Sequence, residues 1–374
     1  MKGLRKYIAP FAPDQSGATA VFCELGGLVI ILDAGGCAGN VCGFDEPRWF
    51  TSKSAIFSAG LRDMDAILGR DDKLVEKIGK ACKKIDGNFV AVIGTPVPAV
   101  IGTDYAALRR MIEKKTGFVA MTVDTNGMEL YDDGVRKASL ELFRTFAGTD
   151  GNSQVMAQGT GTDDAANRSE TAGTKPLELL GVLGATPMDI VETETPDDIA
   201  NYYKKEGWQK VSVYGMGAGL EVVRQAGQAR KNLVIAPAGL ETARYLKKKY
   251  GTPYEAEYPL ATIPGWDVFW ENVMKKERKK VLIVHQQVLA NTLRDAIRRE
   301  SGAEVTVASW FMLDKELKED GDVHLREEDQ WISLVKDGGY DLIIGESLFM
   351  RAVPDYAGDH INLTHFAVSG KRTI

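Results

Sequence analysis

Two cysteines on one glycine-rich loop are the residues in this sequence best suited to chemistry. Cys37 and Cys42 lie in the stretch DAGGCAGNVCG, separated by Ala38, Gly39, Asn40 and Val41. Thiolates are the preferred donors for soft transition metals and iron–sulfur centres, so metal or cluster binding is open here. Gly35, Gly36, Gly39 and Gly43 leave the loop backbone bare. Such a backbone can approach a bulky inorganic group and turn its amides toward it. The competing reading is plain packing, because this spacing arises easily by chance and free cysteine often behaves as a small buried hydrophobe. Cys23 and Cys82, set among apolar neighbours, read as core.

Charged residues around the loop carry a second set of expectations. Arg48 suits either an anionic substrate or a bidentate pair with a carboxylate such as Asp63 or Asp65. Asp45 reads as a loop carboxylate or as an oxygen ligand. The histidines at 285, 324, 360 and 365 show no His-x-x-x-His pattern, so no zinc site is expected. YGMGAG, Tyr214 to Gly219, resembles a dinucleotide fingerprint. Its third glycine comes one residue early and no acidic residue closes the next strand, so a plain strand-to-helix turn is the better reading. No G-x-x-x-x-G-K-[ST] loop occurs, which argues against ATP binding by this chain.

The elements that must position these residues alternate. The helix-like stretch SGATAVFCELGG is followed by the wholly apolar run LVIIL and then the cysteine loop. Next come a helical segment from Leu61 to Ile85, broken at Gly69, and the strand NFVAVIG. Strand, crossover and strand imply a parallel sheet. The alternation restarts with LELLGVLG, KVSVYG and NLVIAP, and again with KKVLIVH, AEVTVAS and YDLIIGES, each joined by helical stretches. The expected fold is α/β, with three consecutive Rossmann-like units and mostly parallel sheets. The expected divisions are a first unit with the cysteine loop at 1–147, a flexible linker rich in Gly, Thr, Asp, Asn and Ser at 148–175, a second unit at 176–277 and a third at 278–374.

Bulk properties narrow the function. At 374 residues, with 44% hydrophobic and 26% charged residues, the chain has the composition of a folded globular protein. A net charge of -6 gives no footprint for nucleic acid, and Lys275, Lys276, Arg278, Lys279 and Lys280 read as a solvated helix end. No apolar run is long enough for a membrane span and the start lacks a secretory pattern, so a cytoplasmic protein is expected.

Several segments resemble one family in the right order. Gly36-Cys37 after a helix and strand, LRDMDAILGRDDKLVEKI, VIGTDYAAL, NLVIAPAGLETARYLKKKYGTPY, YDLIIGESLFMRAV and INLTHFAVSG are similar to stretches of the nitrogenase component 1 superfamily. EPRWF, Glu46 to Phe50, resembles the chlorophyllide-reductase branch. The resemblance implies an iron–sulfur cluster, a [4Fe-4S] cube shared across a dimer interface, with Gly36, Cys37 and Cys42 at the cofactor and the two cysteines as ligands. It implies a homodimer or a close paralogue as the second half, a separate ATP-dependent iron-protein reductase, and a small-molecule substrate. Arg48 and His365 become candidate catalytic contacts, the latter because the matching family segment lines the substrate cavity. The sequence departs from the family where its first cluster cysteine would fall near Phe11 and its third near Thr95 or Pro96. The stretch after His365 is short, so an iron–molybdenum cofactor is not expected.

The leading expectation is therefore a nitrogenase-like reductase component that accepts electrons through an interface cluster. Two others stand beside it: a scaffold or carrier for metallocofactor or tetrapyrrole assembly, and a cluster-free ligand-binding or regulatory module.

Overall fold

The computed structural model describes residues 5–62, 64, 69–148, 178–191 and 194–370. The expected linker falls almost wholly outside them, as does most of the first half of the helical segment that begins at Leu61.

Apolar runs with no polar alternation become central strands of three parallel sheets. In the first sheet β1 (Leu28–Ile31) and β3 (Val90–Ile93) are buried at every position. They pair in register, Leu28 opposite Val90, with β2 (Ala55–Ser58) and β4 (Ala120–Val123) outside them in the order β2-β1-β3-β4. Strands covered on both faces have no use for polar residues, which is why LVII and VAVI read so plainly. The second sheet repeats this order, β6-β5-β7-β8, from β5 (Leu179–Leu183), β6 (Lys210–Val213), β7 (Lys231–Val234) and β8 (Tyr254–Ala256). The third is β11-β10-β9-β12-β13, from β9 (Lys280–Val284), β10 (Glu304–Ser309), β11 (Val323–His324), β12 (Leu342–Gly345) and β13 (Asp359–Asn362). In all three, the strand order reverses beside the first strand, and ligands of open α/β sheets bind at the carboxyl ends of strands where that happens.

Helices connect these strands. The first unit carries α1 (Asp14–Phe22), α2 (Gly36–Asn40), α3 (Asp71–Cys82), α4 (Pro96–Ile101), α5 (Tyr105–Thr116) and α6 (Tyr131–Phe146). The second carries α7 (Pro196–Lys205), α8 (Leu220–Arg224) and α9 (Leu240–Tyr250), and α10 (Trp266–Met274) leads on to the third, with α11 (Gln287–Ser301), α12 (Glu328–Gly338) and α13 (Phe366–Ser369). Helix α1 is internal: every residue is buried, including Asp14, Gln15, Ser16 and Thr19. It lies directly on α6 because both carry glycine at the crossing. A Cβ on Gly17 would sit 1.8 Å from the Tyr131 carbonyl oxygen, and one on Gly134 would sit 1.8 Å from that of Asp14.

The three units share apolar core. Phe89 and Tyr131 of the first, Met188 and Tyr214 of the second, and Leu282, Trp310 and Phe366 of the third belong to one cluster. Among the described residues no helix is long and apolar enough to cross a membrane.

Candidate functional site

The cysteine loop leaves the carboxyl end of β1 and is held at its root by a buried carboxylate. Asp33 accepts from the Ala38 amide at 2.8 Å and from the Ser58 hydroxyl at 2.5 Å, tying α2 to the end of β2. Gly35 precedes α2 with φ of 118°, a conformation closed to most side chains. The chain then widens into a π-helical turn, Val41–Asp45, of a kind often found at functional sites. Both thiols are partly exposed. Cys37 faces Asp33 and Thr95, and Cys42 Sγ lies 3.3 Å from the Gly39 carbonyl oxygen. Burial pushes the Cys37 thiol up, Asp33 and Asp14 push the same way, and a hydrogen bond with Thr95 opposes them. A Cβ added at Gly35, Gly36, Gly39 or Gly43 would meet nothing within 4 Å, so the loop surface is open. Asp45 is held by the Ser16 hydroxyl at 2.6 Å, and burial raises its pKa.

Arg48 closes the loop from beneath. It is buried, and each of its five N–H groups donates: Nε to Glu46 at 2.8 Å, Nη1 to Glu24 at 3.1 Å and the Gly215 carbonyl at 2.8 Å, Nη2 to the Ala20 carbonyl at 2.8 Å and Glu46 at 2.7 Å. No N–H remains for a substrate in this arrangement. Its carboxylate partners are Glu46 and Glu24; Asp63 and Asp65 lie outside the described residues. The YGMGAG turn is on the other side of this contact, since Glu24 also accepts from the Gly217 amide at 2.8 Å. Its positive-φ glycines, at 88° for Gly215 and 69° for Gly217, serve a turn that docks the second unit on the first.

His365 lies at the junction of all three units. Its Nε2 is 3.1 Å from the Tyr131 hydroxyl, which donates to Asp189 at 2.8 Å; Thr186 donates to the other Asp189 oxygen at 2.6 Å. The imidazole stacks on His285 with centroids 4.4 Å apart and meets the Phe311 ring edge-on at 4.6 Å. Burial drives the His365 pKa well down, with His285 adding to it and the Met188 carbonyl opposing. His285 is lowered to about 4 by burial, against the Thr364 carbonyl that accepts from it. Asp189 is raised to about 7, chiefly by burial. Both histidines of the junction are thus held neutral in a ring-packed cluster, and His365 is only 2% exposed.

The two halves of the expected site are therefore separate. Cys37 and Cys42 sit at the open carboxyl end of the first sheet, while His365 is deep in the shared core and Arg48 lies in the first-to-second unit contact. Among the described residues no three His, Cys, Asp or Glu side chains converge as a metal site.

A family model for nitrogenase component 1 type oxidoreductases matches residues 14–277. The chain belongs to that family. Two solved structures of nitrogenase Cp1 share its fold: one at pH 6.5 with TM-score 0.67 and 13% identity, covering 97% of this chain and 87% of that one, and one at pH 5 with TM-score 0.63 and 14% identity, covering 98% and 85%. No curated protein matches by sequence.

At two of the positions where the resemblance implied cluster cysteines, Thr95 and Phe11 have unlike surroundings. Thr95 faces Cys37 and also donates to the Leu32 carbonyl at 2.8 Å. Phe11 instead packs on Trp310 and Phe349 of the third unit, at 5.6 and 6.3 Å between centroids. Tyr131, Asp189, Thr186 and His285 were not singled out as site residues by sequence reasoning. Each sits in a segment that reads as ordinary helix, turn or strand end, and only the fold brings them together.

Proposed function

We propose that this chain is the electron-accepting component of a two-part nitrogenase-like reductase. Two copies meet at their Cys37 loops, hold one iron–sulfur cluster between them, and receive electrons from an ATP-dependent iron-protein partner to reduce a small molecule. One observation carries the reading: two partly exposed thiols stand on an open glycine loop flanked by uncovered aromatics, Phe44 at 75% and Phe50 at 94% exposure. Val100 and Ile101, on α4 beyond the neighbouring strand, extend the uncovered apolar surface. Patches of this kind mark association sites.

The residues fit a shared cluster better than a private one. A four-iron cube usually takes four thiolates, and one copy offers two on this loop. An isologous contact doubles whatever one copy presents. When bound, the cluster would supply a one-electron store. The chain's own residues do the rest: Cys37 and Cys42 as ligands, Asp33 fixing the loop root, and Arg48 positioning the segment that follows. His365 is proposed as a substrate contact at the three-unit junction.

A cluster-free binding module is favoured by one contrary observation. Tyr131, His285, Phe311 and His365 pack ring against ring where a substrate cavity is expected. Iron and acid-labile sulfide, measured per protomer on protein purified without oxygen, separate the readings. About two irons per protomer, lost in Cys37→Ala, is the expected result for one cube shared by two copies. An iron-free dimer after anaerobic reconstitution would overturn the electron-transfer reading. Iron without turnover in the presence of a reductase would favour the assembly scaffold.

A further inference from the structure

A second concavity lies far from the cysteine loop, between the second and third units. It measures about 570 Å³, within the range of small-molecule sites. Its walls are aromatic on two sides. Tyr202 and Tyr203 come from α7, and Trp266 and Trp270 come from α10, where the two indoles stack with centroids 5.4 Å apart. None of the four is fully buried.

The rest of the lining is acidic beyond its local compensation. Glu255, Glu257, Asp295 and Glu300 face it, against a single cation, Arg299. Glu255 is paired with Lys231, and Glu300 accepts from the Trp270 indole at 3.2 Å. Asp295 has its nearest cation, Arg294, 4.0 Å away, and that guanidinium is committed to Asp322 at 2.8 Å. Glu257 is raised from its ordinary pKa by burial and then by Glu255, with Lys231 and Arg299 pulling the other way.

Aromatic faces attract cations through the ring quadrupole, and carboxylates in excess of their local cations do so by charge. An anion would meet net repulsion here, and a neutral ligand would shield the carboxylates from water while leaving their charge unmatched. We infer that this cavity binds an organic ammonium ion, held over the Tyr202, Tyr203, Trp266 and Trp270 rings with its charge toward Glu257 and Asp295. Because Tyr202 and Tyr203 belong to the second unit and Asp295 to α11 of the third, such a ligand would bridge the two. The inference does not depend on the iron–sulfur reading.

Isothermal titration of the full chain with choline, and with its neutral isostere 3,3-dimethylbutan-1-ol, tests it. Choline is expected to bind with Kd of about 1 mM or tighter, and the neutral isostere about tenfold more weakly. Asp295→Asn, at an exposed position, and Trp270→Leu should each weaken choline by about fivefold or more, while calorimetry shows unchanged folding for Asp295→Asn. Equal binding of the two probes, no choline binding at about 10 mM, or full affinity in Asp295→Asn together with Trp270→Leu would each overturn it.

Discussion

Replacing Arg48 by alanine separates a positioning role from a substrate-binding one. In the wild type the guanidinium neutralises Glu46, whose side chain is 0% exposed, and closes the Ala20 and Gly215 carbonyls. Truncation leaves a buried carboxylate without its counter-ion, which typically costs about 3–5 kcal/mol. A cooperative unit of about 150–250 residues loses about 2–4 °C per kcal/mol, so the unfolding midpoint should fall by on the order of 10 °C. Differential scanning calorimetry at pH 7 reads this directly. Arg48→Met combined with Glu46→Leu should recover more than half the loss, because the fully buried charge is then gone, while the remaining carboxylate, Glu24, keeps the Gly217 amide and some solvent. A substrate-contacting arginine would behave differently: Arg48→Ala would stay within about 1 kcal/mol of wild type. That outcome, or a double variant no better than the single one, would refute the reasoning.

Two further perturbations follow from the core. The histidine pair must unfold to take protons easily: His285 has a folded pKa of about 4 against an ordinary value of 6.5, so below 6.5 the unfolded chain binds more protons and stability falls with pH. Asp189 at about 7 acts oppositely, since the folded chain keeps a proton that the unfolded chain has lost, and its contribution grows as pH falls from 7. Asp189→Asn should therefore steepen the decline of the melting midpoint between pH 6.5 and 4.5, and His285→Gln should flatten it; equal slopes in all three proteins would contradict this assignment. Gly134→Ala should cost about 3 kcal/mol or more in urea unfolding, because its Cβ would meet the Asp14 backbone oxygen at 1.8 Å and neither helix can yield alone. Gly39→Ala, with open space at its Cβ, should stay within about 0.5 kcal/mol, and a comparable loss in the two would remove the packing explanation.

What could be read from the sequence follows how each element is buried. Runs such as LVII, VAVI and KVLIV are covered on both faces, so their apolar continuity announces parallel strands. The edge strands β2 and β11 escape that test: Ala55–Ser58 is half exposed, and Val323–His324 is two residues long. With β2 unread, the chain between β1 and β3 reads as one crossover, when the structure inserts a strand within it. The cysteine loop was legible because glycine and thiol chemistry are local. The junction cluster was not, since Tyr131 and His365 are 234 residues apart and only His365, through its family-like segment, was singled out. Arg48 was legible as a residue needing a carboxylate, but its partners among the described residues, Glu46 and Glu24, were not the ones singled out.

The unlike surroundings of Thr95 and Phe11 make the ligand count of the cysteine loop testable by addition as well as removal. Thr95 already faces the Cys37 thiol, so Thr95→Cys places a third thiol in the same cradle at the cost of the hydroxyl's two hydrogen bonds, to the Leu32 carbonyl and with the Cys37 thiol. Lost bonds of this kind are worth about 1 kcal/mol each, which a folded chain tolerates. Phe11→Cys empties a ring position between Trp310, Phe311 and Phe349, a deletion of the type that costs about 3–5 kcal/mol, and its thiol would face the third unit. After anaerobic reconstitution and a challenge with chelator, Thr95→Cys is expected to retain more iron per protomer than wild type, and Phe11→Cys to melt lower with no gain in iron. If Phe11→Cys gained iron while Thr95→Cys did not, the cluster would have to lie toward the third unit, and the open carboxyl end of the first sheet would lose its claim to be the electron-accepting face.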